Sequence, residues 1–204
     1  MVYYDAGYQI MRSCKRMKLT VFDIVVILGD VGANYSLDQR DRELKAELNR
    51  LEPTILCIHG NHEIRPQNIP SYREKEWNGG TVWYEEEYPH LLFAKDGDIY
   101  KLEGVAHLVI GGAYSVDKFY RLTRGYGWWE DEQPSAAIKE RVEEILEQCG
   151  WAVDTVLTHT CPLKYEPVEA FLPMIDQRTV DNSTEAWLDG IENRLSYKRW
   201  YCGH

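Results

Sequence analysis

Short apolar runs that break at polar, turn-forming residues set the rhythm of this chain. Asp23 to Leu28 (DIVVIL) breaks at Gly29-Asp30, and Thr54 to Ile58 (TILCI) leads through Gly60 to Asn61-His62-Glu63. Val153 to Leu157 (VDTVL) breaks at Thr158-His159-Thr160, and Tyr197 to Cys202 (YKRWYC) breaks at Gly203-His204. Runs of this length, rich in β-branched residues, suit strands buried on both faces. Leu37, Leu44, Leu48 and Leu51 fall at helical spacing before Pro53 and predict a crossover helix, whose Asp38, Arg40, Asp41, Arg42 and Glu43 read as a solvated face. Pro134 to Cys149 predicts a second helix with Ile138, Val142, Ile145 and Leu146 as its buried stripe and Gly150 as its stop, and Thr179 to Leu195 holds a third.

The remaining pattern is less regular. Ile64 to Gly80 carries proline, asparagine and glycine without a period and is expected to be a long loop. Thr81 to Gly112 reads as several strands (TVWYEE, HLLFAKD, DIYKLE, VAHLVIGG) that build a second sheet, with an Asp96-Gly97 hairpin, and His90 and His107 read as structural. Gly111 to Trp129 is aromatic and basic. It lacks GxGxxG and Walker spacing, and is either a specificity loop presenting Asp117, Lys118, Arg121 or Arg124, or an aromatic cluster packed on the core. Met1 to Thr20 predicts a short strand followed by a helix with Arg12, Lys15, Arg16 and Lys18 on its exposed side.

The residues just beyond the four runs change the picture from fold to chemistry. The ends of buried parallel strands are where open α/β sheets place ligands, and here they carry a carboxylate (Asp30), an amide (Asn61) and two imidazoles (His159, His204). All these side-chain types bind first-row cations, and an imidazole also moves protons.

In order, GDVGAN (Gly29 to Asn34), GNHE (Gly60 to Glu63), THTCP (Thr158 to Pro162) and CGH (Cys202 to His204) resemble the calcineurin-like metallophosphoesterase superfamily, most of all its small bacterial serine/threonine-phosphatase-type members. The resemblance implies an α/β fold, a four-layer α/β/β/α sandwich of two mixed β-sheets flanked by helices, and a single domain over residues 1–204 that is incomplete at both ends. It implies a metal-dependent phosphoester hydrolase, a phosphatase or phosphodiesterase, in which a metal-activated water attacks phosphorus in line. Asp30 would bridge two cations, with Asn61, His159 and His204 completing one site. His62 matches the histidine that protonates the leaving oxygen, and Glu63 or another carboxylate would orient its ring. Asn34, just beyond the Gly-Asp turn, and Arg65 are expected to contact substrate. Arg73 is a further cation for phosphate, although either arginine can instead pair with Glu63 or Glu74. Mixed oxygen and nitrogen donors suit manganese, iron, zinc or nickel, of which manganese is favoured.

Two departures stand against the resemblance. The family's Asp-x-His on its first strand is absent, Asp5-Ala6-Gly7 being the nearest match, and the 25 positions from Asp5 to Asp30 are short for strand, helix and strand. The second histidine of the family's GHxH is also missing, because the sequence stops at His204. A one-metal relative, a phosphate- or partner-binding pseudoenzyme, is therefore the alternative reading.

Charge and cysteine content narrow the partners. A formal charge of −10 speaks against a broad nucleic-acid surface and requires bound cations to attract a phosphate. The expected partner is a phosphorylated protein, nucleotide or small phosphoester, with a homo-oligomer left open. Five cysteines without a Cys-x-x-Cys pair read as reduced thiols, and with no signal peptide or membrane-length run they point to the cytoplasm.

Overall fold

The structure, a computed structural model, describes residues 3–171, 173 and 175–204, with side chains from residue 9 onward. Helix α1 (Tyr3–Met17) leads to strand β1 (Ile24–Ile27), helix α2 (Gln39–Asn49) and strand β2 (Thr54–Cys57). Strands β3 (Arg73–Trp77), β4 (Gly80–Tyr84), β5 (Leu91–Ala94), β6 (Ile99–Leu102) and β7 (Val105–Ile110) come next. Helices α3 (Lys118–Arg124) and α4 (Ala136–Gln148), strand β8 (Thr155–Thr158), helix α5 (Ser183–Glu192) and strand β9 (Arg199–Cys202) complete the order.

The first sheet has the order β1-β2-β5-β4-β3, parallel across β1, β2 and β5 and antiparallel at β4 and β3. The second has the order β6-β7-β8-β9, parallel from β7 to β9 with β6 antiparallel at its edge. Alternation along the strands decides the layers. Leu56, Val82 and Leu92 of the first sheet meet Tyr100, Leu102, Val109 and Leu157 of the second in the central layer. The opposite face of the first sheet, with Ile55, Cys57, Leu91 and Phe93, packs on Ile10 of α1 and on Leu44 and Leu48 of α2. Leu108, Ile110 and Val156 on the outer face of the second sheet pack on Val142 and Leu146 of α4 and on Leu188 and Ile191 of α5. The result is an α/β/β/α sandwich of two mixed sheets. Each fully buried leucine or isoleucine contributes about 1.5–3 kcal/mol to it.

Local signals account for the helix boundaries. The Asp38 side chain accepts from Arg40 N and starts α2, and Ser135 accepts from Ile138 N and starts α4 directly after Pro134. Arg12, Lys15, Arg16 and Lys18 are exposed, as the spacing predicts. His107 lies at a strand, its Nδ1 2.9 Å from Val105 O, and all five cysteines are free. Among the described residues, no helix is long and apolar enough to cross a membrane.

Four expectations are corrected. The amino-terminal strand is a helix instead: α1 runs from Tyr3, and Ile10 and Cys14, one turn apart, pack inward. The side chain of Asp5 lies outside the described residues. The loop expected over Ile64 to Gly80 contains β3, whose Arg73 bonds Pro70 O and Tyr72 O at 2.9 Å. Strands β4 and β5 join the first sheet rather than the second, so Asp96-Gly97 is a turn that carries the chain from one sheet to the other rather than a hairpin. Finally, Asp41 is buried rather than solvated and accepts from Leu37 N at 2.6 Å, while neighbouring Lys45 reaches Glu85 at 2.6 Å.

Candidate metal centre

The carboxyl ends of β1, β2, β8 and β9 converge, and two glycines make the convergence possible. A Cβ on Gly29 would lie 2.0 Å from His159 Nδ1, and one on Gly60 would lie 2.1 Å from Asp30 Oδ1. Gly29 also has φ +97°, a left-handed conformation that side chains rarely adopt. Each Gly-polar step therefore exists so that one strand end can close on another.

The donors of Asp30, His159 and His204 lie within 4.8 Å of one another, the one such group among the described residues. His159 is 1% exposed, with its Nδ1 2.6 Å from Leu28 O. A carbonyl only accepts, so Nδ1 carries the proton and Nε2 presents a lone pair. That lone pair faces Asn61 Oδ1 at 2.9 Å. The Asn61 amide is held in this orientation from behind: its Nδ2 donates to Ser115 Oγ at 2.9 Å, and Ser115 in turn bonds the Glu132 carboxylate, which also accepts from Trp128 Nε1 at 2.8 Å. Two acceptors thus meet at hydrogen-bond distance with no proton between them. A cation resolves that conflict, and the backbone carbonyl behind His159 is the usual outer partner of a metal-binding imidazole. Asp30 Oδ2 lies 3.8 Å from the same Nε2. The His204 residue is exposed as a whole, but its ring packs edge-on on His159 at 5.0 Å, and the ring's loss of solvent there, then the His159 imidazole, pushes its pKa down to about 4. It is neutral, and so competent to bind metal, at neutral pH. The residues present fit a divalent cation.

His62 stands beside this group. Its backbone N donates to Asp30 Oδ1 at 3.0 Å, and its Nδ1 lies 3.2 Å from Arg121 Nη2. A guanidinium only donates, so Nδ1 accepts and the ring proton sits on Nε2, 3.6 Å from Asp117 Oδ1. Arg121 is buried and also bonds Asp117 through Nε, at 2.8 Å. Burial lowers the His62 pKa, against the pull of Asp30, and Arg121 lowers it further.

Three expected residues are placed otherwise. Glu63 does not reach His62; it is 1% exposed and accepts from Gly60 N at 2.5 Å, bracing the turn that presents Asn61. Asp117 and Arg121 flank the His62 ring instead. Arg65 is not free to meet a phosphate, since it is 3% exposed and tied to Asp96 Oδ2 at 2.6 Å and Asp131 O at 2.8 Å. Asn34 has φ +61°, which turns its buried side chain inward to accept from Tyr72 Oη at 2.9 Å. Two further residues of the site, Ser115 and Glu132, carry no motif that marks them in the sequence. Ser115 lies five residues beyond the end of β7, on the same side of the sandwich as the other strand ends, and that position is its sequence signal.

Burial raises the Glu63 pKa to about 8. The folded chain therefore holds this proton more tightly than the unfolded chain does, and the associated stability is present below about pH 4.5 and lost as pH rises through about 8. Glu63→Gln keeps the acceptor for Gly60 and removes the ionisation. In metal-free protein, denaturant titrations should show the variant gaining on the parent from pH 5 to pH 8.5, by on the order of 3 kcal/mol at the upper end. A difference that does not change with pH would contradict this placement of Glu63.

No match to the chain was found among curated proteins or solved structures. The family model for calcineurin-like phosphoesterases matches residues 7–172, a span that contains Asp30, Asn61, His62 and His159. The chain belongs to the calcineurin-like phosphoesterase family.

Proposed function

We propose that this chain hydrolyses phosphoesters with a divalent cation, manganese by preference, held by Asp30, Asn61, His159 and His204. The observation that carries the proposal is the 2.9 Å approach of the His159 Nε2 lone pair to Asn61 Oδ1, two acceptors aimed at one point beside a carboxylate. A cation held there supplies Lewis acidity toward a phosphoryl oxygen and makes a water more acidic. In a chain of charge −10 it also supplies the local positive potential that draws in an anionic substrate.

The chain's own residues do the rest. Asp30, at the end of β1, fixes the His62 backbone and sets the spacing between the cation and the proton donor. As the imidazolium, His62 delivers its Nε2 proton to the leaving oxygen and keeps the proton on Nδ1, which lies 3.9 Å from Asp30 Oδ2. Arg121 faces Nδ1, which accepts from it in the neutral ring and disfavours the imidazolium, and Asp117 stands beside Nε2. Glu132, through Ser115, keeps the Asn61 oxygen turned toward His159. Arg65 and Asn34 serve the scaffold under the site.

The test is a panel of a phosphomonoester, a phosphodiester and a phosphoserine peptide, each assayed with manganese and again with chelator. Release of phosphate or alcohol from at least one substrate with manganese, abolished by chelator, is the expected result. A metal-loaded chain that cleaves none of them would leave phosphate or partner binding as the function.

A further inference from the structure

Helix α3 is inverted. Its buried residue is a cation, Arg121, which faces Asp117 and the His62 ring. Its outward side is apolar: Phe119 is 66% exposed and Leu122, one turn on, 51%, with Val116 and Tyr126 beyond the two ends at 42% and 53% and Tyr120 alongside at 55%. A helix that buries its charge and exposes its apolar stripe is not stabilised by that stripe in the free chain, and contiguous exposed apolar surface of this kind marks an interaction site.

Position and charge identify the occupant. The stripe lies across one helix from the candidate metal centre, because the same seven-residue helix touches His62 from its other side. A helix is about 10–12 Å across and extended peptide advances about 3.3–3.6 Å per residue, so about three to four residues separate a group at the centre from a side chain on the stripe. Lys118 and Arg124 lie at the two ends of the helix, in a chain whose net charge of −10 repels acidic ligands elsewhere. Aliphatic Leu122 and Val116 beside the aromatic rings suit packing of apolar side chains better than stacking of a nucleobase.

Resting on the proposed hydrolase reading, we propose that the substrate is a phosphorylated protein segment, docked with an apolar side chain three to four residues from the phosphorylated residue against Phe119 and Leu122, and with acidic flanks near Lys118 and Arg124. The order of the surface then matches the order of the substrate. The phosphate lies at the cation and the docking residue lies across α3.

The experiment compares two phosphoserine peptides with acidic flanks, one with leucine four residues from the phosphoserine and one with serine there, on the full chain and on Phe119→Ser and Leu122→Ser. Binding is read by fluorescence anisotropy in manganese with the non-hydrolysable phosphonate analogue of each peptide, turnover with the phosphopeptides themselves, and p-nitrophenyl phosphate serves as a substrate too small to reach the stripe. The leucine peptide is expected to bind and turn over roughly tenfold better on the parent chain. Each variant should erase that preference while hydrolysis of p-nitrophenyl phosphate stays within about twofold. Equal affinity of the two peptides for the parent, or variants that keep the preference, overturns the docking proposal. So does a concentration-dependent dimer that the variants dissociate, because a second copy would then be the occupant. If the parent hydrolyses neither peptides nor p-nitrophenyl phosphate, the hydrolase reading fails, and anisotropy with the phosphonate peptides still decides the docking proposal.

Discussion

Asp30→Asn should abolish metal-dependent hydrolysis while leaving the chain folded. The substitution changes almost nothing sterically, and asparagine tolerates the φ of +53° that Asp30 adopts. It can still accept from the His62 backbone. What it loses is the only carboxylate among the converging donors, 3.8 Å from His159 Nε2. Two imidazoles and two amides bind a divalent cation without neutralising any of its charge. Loss of an outer-shell partner alone typically costs about 10–100-fold in metal affinity, and loss of a charged ligand should exceed that, at least about 100-fold. Calorimetric manganese titration and hydrolysis should fall together, with far-UV dichroism unchanged. Full metal affinity in Asp30→Asn would remove Asp30 from the site.

His62→Ala should separate substrates by their leaving groups. A proton donor contributes about 10²–10⁴-fold when the departing oxygen is basic and far less when it leaves readily as an anion. Alkyl phosphates and phosphoserine peptides should therefore lose about that factor, and p-nitrophenyl phosphate much less, with metal affinity unchanged. The pH dependence has a fixed sign. Burial, then Arg121, outweighs Asp30 and Asp117 and holds the His62 pKa below its ordinary value of 6.5, so the imidazolium fraction grows as pH falls through that lowered pKa. Relative to p-nitrophenyl phosphate, alkyl phosphate hydrolysis should rise toward acid in the parent chain, and the rise should vanish in His62→Ala. Equal losses on both substrates would mean that the ring positions the site rather than delivering a proton.

The parts of the fold that were legible in the sequence are those in which one segment carries its own signal. Helix α4 has a proline, a capping serine, a stripe and a stop within seventeen residues, Pro134 to Gly150, and it forms as read. Strand β3 does not. Arg-Glu-Lys-Glu-Trp is largely exposed, so no apolar alternation marks it, and only its pairing with β4 makes it a strand. The assignment of β4 and β5 to the wrong sheet has the same origin: a buried apolar run states that both faces are covered and says nothing about which strand lies beside it.

The site divides along a similar line. Asp30, Asn61, His159 and His204 each come directly after a strand, and the strand directs them to one end of the sandwich. Asn34 and Arg65 come after turns, and their directions depend on tertiary facts. One is a left-handed backbone conformation, and the other is an aspartate 31 residues away. The pairing of His62 with Asp117 and Arg121 likewise depends on α3 folding back over the strand ends. Sequence proximity favoured Glu63 as the partner, but the tight turn at Gly60 turns that carboxylate under the loop.

The most direct test of the account is to titrate manganese into metal-free chain while recording bound metal and p-nitrophenyl phosphate hydrolysis in the same samples. Hydrolysis that rises with occupancy of the site, saturates with it and disappears in Asp30→Asn is the predicted result. Occupancy that saturates without turnover, or turnover that persists in chelator, would contradict it.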